Sequence, residues 1–88
     1  MIDVLYTQPF IKQFNSLEDG LRDEIYEKIE LFKNKDNHIQ LKVHKLKGKL
    51  KNKYSFSVNY KIRIVFEYTL FKKEVALLSI GDHDVYKR

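Results

Sequence analysis

Arg63, His83 and Tyr86 are the side chains of this sequence best suited to hold a phosphate and move protons around it. An arginine on a strand offers a planar fork of donors that fits phosphate oxygens and stays charged at any working pH. Its ordinary alternative is a surface ion pair with Glu67 or Asp82. His83 lies between Asp82 and Asp84, where flanking acids raise an imidazole pKa or select its tautomer, and it precedes Tyr86 by three residues. His44 leads the run His44-Lys45-Leu46-Lys47-Gly48 and could reach the same face, whereas His38 has no suggestive neighbours. Metal-free RNA cleavage needs a group to take the 2′-OH proton, one to protonate the leaving 5′-oxygen, and cations to stabilise the phosphorane. On paper Arg63, His83, Tyr86 and the lysines supply that kit. Three scattered histidines without cysteine make a poor zinc site, so no metal is expected. No Gly-rich phosphate loop, Ser-His-Asp signature or nucleotide fingerprint occurs, and no cofactor is expected.

The cations are unevenly placed. From Asn37 to Phe66 there is no Asp or Glu, while Lys42, Lys45, Lys47, Lys49, Lys51, Lys53, Lys61 and Arg63 carry +8. The remainder holds nine basic residues against twelve acidic ones, which leaves the whole chain at +5. A local excess of this kind attracts a polyanion, and nucleic acid is the first partner to consider. Basic runs also bind acidic proteins or serve only solubility.

These side chains need a scaffold. Eighty-eight residues suffice for one domain, 1–88, and the six Phe and six Tyr provide bulky core material. The absence of cysteine excludes disulfide staples and thiol chemistry and is compatible with a reducing compartment. No apolar run approaches the roughly twenty residues that span a bilayer, and no signal-like N-terminus is present, so a cytoplasmic protein without membrane contact is expected.

Ile2, Val4 and Tyr6 alternate as in a short strand, and Thr7 with Pro9 predicts a helix start. Phe10, Phe14 and Leu17 make one apolar face. Ser16 before Glu18 and Asp19 predicts a second start, and Leu21, Ile25, Ile29 and Phe32 continue at helical spacing, with Glu24 and Lys28 placed to pair. The residues between Asp36 and Lys53 predict an extended, partly irregular connection anchored by Leu46 and Leu50 and broken at Gly48. Beyond it the period is two. A two-residue turn would put the rows Tyr54, Phe56, Val58 and Ile62, Ile64, Phe66 on opposite faces of a hairpin. A three-residue loop, Asn59 to Lys61, pairs Val58 with Ile62, Phe56 with Ile64 and Tyr54 with Phe66, keeping one apolar face and setting Ser57 opposite Arg63 on a more polar one. A last strand is expected over Val75 to Ile80, ending at Gly81. The expected fold is α+β: a short N-terminal strand, two helices, then a three-strand antiparallel meander, with the helices on one face of a small sheet.

In this order the runs His44-Lys45-Leu46-Lys47-Gly48, Tyr54-Ser55-Phe56-Ser57-Val58, Arg63-Ile64-Val65-Phe66 and Ile80-Gly81-Asp82-His83-Asp84-Val85-Tyr86 resemble the RelE/ParE superfamily of bacterial type II toxin–antitoxin toxins. The resemblance covers nearly the whole chain. It implies a toxin held inactive by a cognate antitoxin, meeting operator DNA only through that antitoxin, and when released cutting mRNA in the ribosomal A site. By motif, Arg63 would brace the scissile phosphate, with His83 and Tyr86 at the positions of the family's C-terminal basic or His residue and Tyr. The YafQ-like branch also implicates a residue matching His44, but its further His and Asp in the hairpin are replaced here by Ser57, Tyr60 and Lys61. The lysines, Lys45, Lys47, Lys49, Lys51, Lys53, Lys61 and Lys87 among them, resemble the family's basic surface for ribosomal RNA. ParE-like members share the fold but inhibit DNA gyrase without cutting RNA, and a decayed toxin would retain only antitoxin binding.

Overall fold

The computed structural model describes residues 1–48 and 51–82. Along the chain run β1 (Asp3–Tyr6), α1 (Gln8–Asn15), α2 (Asp19–Phe32), a 3-10 turn (Lys35–Asn37), β2 (His44–Lys45), β3 (Tyr54–Ser57), β4 (Arg63–Tyr68) and β5 (Glu74–Gly81). The sheet order is β1-β5-β4-β3-β2, with β1 parallel to β5 and the other pairs antiparallel. The expected α+β architecture is present. The expected N-terminal strand, β1, joins the meander at one edge, and the structure adds the two-residue β2 at the other. Among the described residues no helix is long and apolar enough to cross a membrane.

Local chemistry sets the helix ends. Thr7 caps α1 by accepting from the Phe10 N–H at 3.4 Å, and its hydroxyl donates to the Leu77 carbonyl at 2.7 Å, so one side chain starts the helix and ties it to β5. Gln13 of α1 reaches the same strand, its Oε1 accepting from the Ile80 N–H at 2.8 Å. Ser16 does not open the second helix as its sequence position suggested. It ends the first, donating to the Gln13 carbonyl, while Glu18 occupies the N-cap of α2 without a side-chain hydrogen bond. The expected Glu24–Lys28 pair is also replaced: Glu24 accepts instead from the Asn59 amide at 2.9 Å, because the β3–β4 loop lies against this turn of α2.

Both helices pack on one face of the sheet. Phe10, Ile25, Ile29 and Phe32 meet Phe56, Ile64, Phe66, Val75 and Leu77 in a single buried cluster. Phe32 sits at its centre, stacked on Phe56 at 4.4 Å between ring centroids and edge-on to Phe66 at 4.8 Å. His38 covers the other side of Phe32 at 4.7 Å and hydrogen-bonds the Phe32 carbonyl through Nε2, which makes it a structural histidine at the end of α2. Nearby, Tyr54 and Tyr68 meet edge to face, and burial with Tyr54 close by raises the Tyr68 pKa.

The connection after α2, expected to be extended and partly irregular, forms turns over residues 38–42, although Ile39, Leu41 and Val43 alternate in sequence as a strand would. Here the chain turns, with Lys42 in the left-handed region at φ 57°, so that Leu41 enters the core while Ile39 stays exposed. The Leu41 carbonyl then accepts from the Ser57 N–H at 2.8 Å and extends the edge of the sheet. Leu46 is buried as expected, but on the far side of the sheet, against Val65 and Leu78. Leu50 lies outside the described residues. Replacing Phe32 by Ala should lower the unfolding free energy by about 3–5 kcal/mol, whereas Ile39→Ala should stay within about 0.5 kcal/mol of the parent; urea unfolding of both variants checks the assignment.

Candidate nucleic-acid and phosphate site

Strand pairing decides which side chains share a face. The observed β3–β4 register is Tyr54↔Phe66, Phe56↔Ile64 and Ser57↔Arg63, and the Val58 N–H closes the three-residue loop on the Ile62 carbonyl at 2.9 Å. Because Phe56, Ile64 and Phe66 face the helices, Arg63 projects from the other face, in a cross-strand row Ser57·Arg63·Gly81. The next row on that face is His44·Ser55·Val65·Ser79. His44 is thus placed on the face that carries Arg63, two strands and one row away, roughly 12 Å between Cα positions at ordinary sheet spacings.

This face is less polar than the alternation of serines suggested. Ser55 is fully buried, and Val65 is nearly so where Leu46 packs against it, with a bulge between Val65 and Phe66 setting Leu78 beside that leucine. Arg63 and His44 therefore flank a small apolar patch, and Gly81, with no side chain, stands in the row beside Arg63.

Each polar group has a structural reason for its position. Nη1 of Arg63 donates to the Asn59 carbonyl at 2.6 Å and to the Ile62 carbonyl at 3.3 Å. Of its two expected competitors, Glu67 and Asp82, the first is instead paired with Lys53 at 3.3 Å, and Arg63 takes part in none of the ion pairs among the described residues. Nδ1 of His44 lies 2.9 Å from the Lys42 carbonyl. A carbonyl can only accept, so that bond places the proton of the neutral ring on Nδ1 and makes Nε2 its basic nitrogen. An arginine held by one edge and an imidazole of fixed tautomer, both on one face, can bind a phosphodiester and take a proton from a hydroxyl beside it.

Asn59 was read from the sequence only as a loop residue. It organises the loop: Oδ1 accepts from the Lys61 and Ile62 N–H groups at 2.9 and 2.7 Å, Nδ2 donates to Glu24, and its carbonyl holds Arg63. An asparagine opening a hairpin loop is the available signal for such an Asx turn. Tyr60 at the loop tip is 92% exposed and lines, with Lys61 and the first turns of α2, a cavity of about 370 Å³.

The lysines do not form one surface with Arg63. Lys45 pairs with Tyr54 and points to the helix side of the sheet, opposite to His44. Lys53 is engaged by Glu67, and Lys47 and Lys51 belong to the β2–β3 connection at the end of the sheet away from Arg63, whereas Lys61 lies at the Arg63 end. His83, Tyr86, Lys49 and Lys87 lie outside the described residues. Among the described residues no group of His, Asp and Glu could hold a metal ion.

No family model matches the sequence, and no curated protein matches it. Solved structures do. A copper-bound point mutant of a toxin from Helicobacter pylori aligns over 97% of this chain and 98% of its own at TM-score 0.69 and 24% identity. A RelBE2 toxin–antitoxin complex from Mycobacterium tuberculosis aligns over 93% and 98% at TM-score 0.71 and 12% identity. A point mutant of YafQ from E. coli aligns over 97% of both chains at TM-score 0.69 and 16% identity. At these identities the likeness establishes the fold alone, which this chain shares with those toxins.

Removing the Asn59 side chain tests its place in the site. Asn59→Ala should cost about 1–3 kcal/mol of stability, the cost of unsatisfying partly buried polar groups. Glu24→Ala should then cost at least about 0.5 kcal/mol less in that background than alone. A denaturation double-mutant cycle reads both values.

Proposed function

We propose that this chain, built on the RelE/ParE-superfamily fold, is the toxin of a type II toxin–antitoxin system and a metal-independent endoribonuclease that cuts mRNA in the ribosomal A site. The observation that carries this reading is Arg63, aimed off the open face of the sheet in the neighbouring row to an imidazole whose Nε2 is the proton-accepting nitrogen. In the proposed reaction His44 takes the proton of the 2′-OH, the 2′-oxygen attacks phosphorus, and the bond to the 5′-oxygen breaks. Arg63 balances the charge on the equatorial oxygens, which increases as the phosphorane forms. His83, with Tyr86 beside it in sequence, gives a proton to the leaving oxygen, so the products are a 2′,3′-cyclic phosphate and a 5′-hydroxyl.

Partners follow from the same reading. The ribosome presents the mRNA, and the lysines supply attraction to ribosomal RNA that weakens with salt. A cognate antitoxin restrains the toxin and alone brings it to operator DNA, in the cytoplasm. Between α1 and α2 an apolar cavity of about 200 Å³, lined by Tyr6, Phe10, Ile11, Phe14, Tyr26 and Ile29, is compatible with an antitoxin that inserts side chains there.

Translating ribosomes incubated with the protein should yield mRNA cut within A-site codons. Arg63→Ala and His83→Ala should each slow that cleavage about a hundredfold or more, the usual loss for an electrostatic or acid–base group. Intact mRNA together with inhibited DNA gyrase would replace this reading by the ParE-like one.

A further inference from the structure

The sheet has two ends, and the turns divide them by charge. Arg63 and Gly81 mark one end, where the acidic first turns of α2 also lie. At the other, α2 finishes, the β4–β5 turn reverses the chain, and the β2–β3 connection closes through the Leu46 N–H on the Lys53 carbonyl at 2.8 Å. Lys33 and Lys35 follow α2, and Lys72 and Lys73 end the β4–β5 turn, so four cations from outside the acid-free stretch join its lysines at this end. Backbone bonds hold them together: the Ile2 N–H donates to the Lys33 carbonyl at 2.9 Å and the Asp3 N–H to the Lys73 carbonyl at 2.7 Å. Between these segments lies a cavity of about 410 Å³ lined by Met1, Ile2, Lys33, Asn34, Lys35 and Lys73, with no carboxylate in its wall. Lys33 is paired with Glu30, but Lys35, Lys72 and Lys73 take part in none of the ion pairs among the described residues.

Beside the cations stands an aromatic ring that the fold does not bury. Phe71 is 73% exposed at the tip of the β4–β5 turn, and Leu70 before it is fully exposed. The turn is nonetheless ordered by its own bonds. Thr69 Oγ1 donates to Glu74 Oε1 at 2.7 Å and accepts from the Phe71 N–H at 3.1 Å, which holds the backbone at Phe71 in place. Lys73 follows at φ 63°, a left-handed backbone in which glycine or asparagine would cost less than lysine. A presented aromatic face among unpaired cations is the recognition chemistry of single-stranded nucleic acid: a base stacks on the ring and the flanking phosphates meet the ammonium groups.

We infer that this end of the molecule, centred on Phe71 with Lys35, Lys72 and Lys73, is a second contact for single-stranded RNA, remote from the Arg63 face. The occupant follows from charge and shape together, since Lys35, Lys72 and Lys73, outside the ion pairs among the described residues, favour a polyanion, and the exposed Phe71 ring among them favours one with stackable bases. The inference deepens the proposed toxin function by assigning a partner to a surface which that reading leaves unused, but RNA binding here does not require cleavage.

Binding of a short fluorescein-labelled single-stranded RNA to the full chain, followed by anisotropy over a series of salt concentrations, tests it. Phe71→Ala should weaken binding about tenfold, within the range for loss of one stacked base. Neutralising the cations as K35Q/K72Q/K73N should flatten the dependence of log affinity on log salt by about 2, at roughly 0.7 per phosphate contact. Asn at residue 73 suits the positive φ, and thermal unfolding should match the parent. Arg63→Ala should abolish mRNA cleavage, and Phe71→Ala should still weaken RNA binding about tenfold in that background, so failure of the nuclease reading and failure of this one are separable. RNA affinity and salt slope unchanged in the Phe71 and lysine variants would overturn the inference. So would the same variants losing only their sedimentation with phosphatidylserine vesicles, which would make the surface a lipid contact.

Discussion

The pairing of β3 with β4 is the constraint on which the rest depends. With Phe56 opposite Ile64 and Tyr54 opposite Phe66, three aromatic rings and an isoleucine fall on one side of the sheet, where Phe32 of α2 can stack on them. A slip of one residue would send one strand's apolar row to the other face and bring Arg63 beneath the helices, where a guanidinium without partners costs several kcal/mol. Core and site are therefore specified by one choice of register. The three-residue loop makes that choice, and Asn59 makes the loop, by satisfying two of its N–H groups and anchoring it to Glu24.

The face opposite the helices is only partly covered, and its covering comes from the basic segment itself. Leu46 packs on Val65 and leaves the row that holds Arg63 outside the apolar patch. The segment that carries the lysines thus serves first as a lid on the sheet. Had Leu46 been polar, β2 would have had little reason to stay on the edge, since two residues of pairing cannot hold a strand in water. His44 owes its place to that anchoring, being the residue of β2 that shares the face of Ser55.

Much of this was legible in the sequence because it depended on period and on matched faces. The register, the loop length, the Thr7 cap and the apolar stripes of α1 and α2 are local or nearly local patterns, and they appear in the structure as the residues predict. What escaped was set by contacts distant in sequence. Ser16 carries the composition of an N-cap, yet the preceding helix uses it as its last polar group. Glu24 has a lysine at the helical spacing for a pair and is taken instead by an amide 35 residues away, which a spacing rule cannot anticipate. Ile39, Leu41 and Val43 alternate like a strand, but pairing needs a free edge in register, and here the chain turns through a left-handed lysine to deliver Leu41 to the core. Of the candidate residues, Arg63 lies on the expected face of the sheet because that face follows from the register alone. His44 was harder, since its face depends on a strand of only two residues.

The distribution of charge bears on how such a molecule meets RNA. Read along the sequence, the cations merge into one block that ends at Arg63. Folded, the lysines of the β2–β3 connection, the β4–β5 turn and the end of α2 gather at one end of the sheet, while Arg63 begins β4 at the other. The six residues of β4 separate them by about 17 Å at 3.4 Å per residue. That is roughly twice the Debye length at physiological ionic strength, so the lysines are screened from a phosphate bound at Arg63 and cannot stabilise charge there. In the proposed function they would act on the encounter instead, orienting the molecule by its basic end, where the loss of one cation among several is tolerated. Arg63 lies against the opposite background, close to the acidic start of α2, and in the proposed reaction its contribution would come from short hydrogen bonds in a fixed geometry. A total-charge effect and a geometric one therefore reside at opposite ends of one small sheet, and substitutions at the two ends should differ in kind: graded and salt-sensitive at the lysines, steep and salt-insensitive at Arg63.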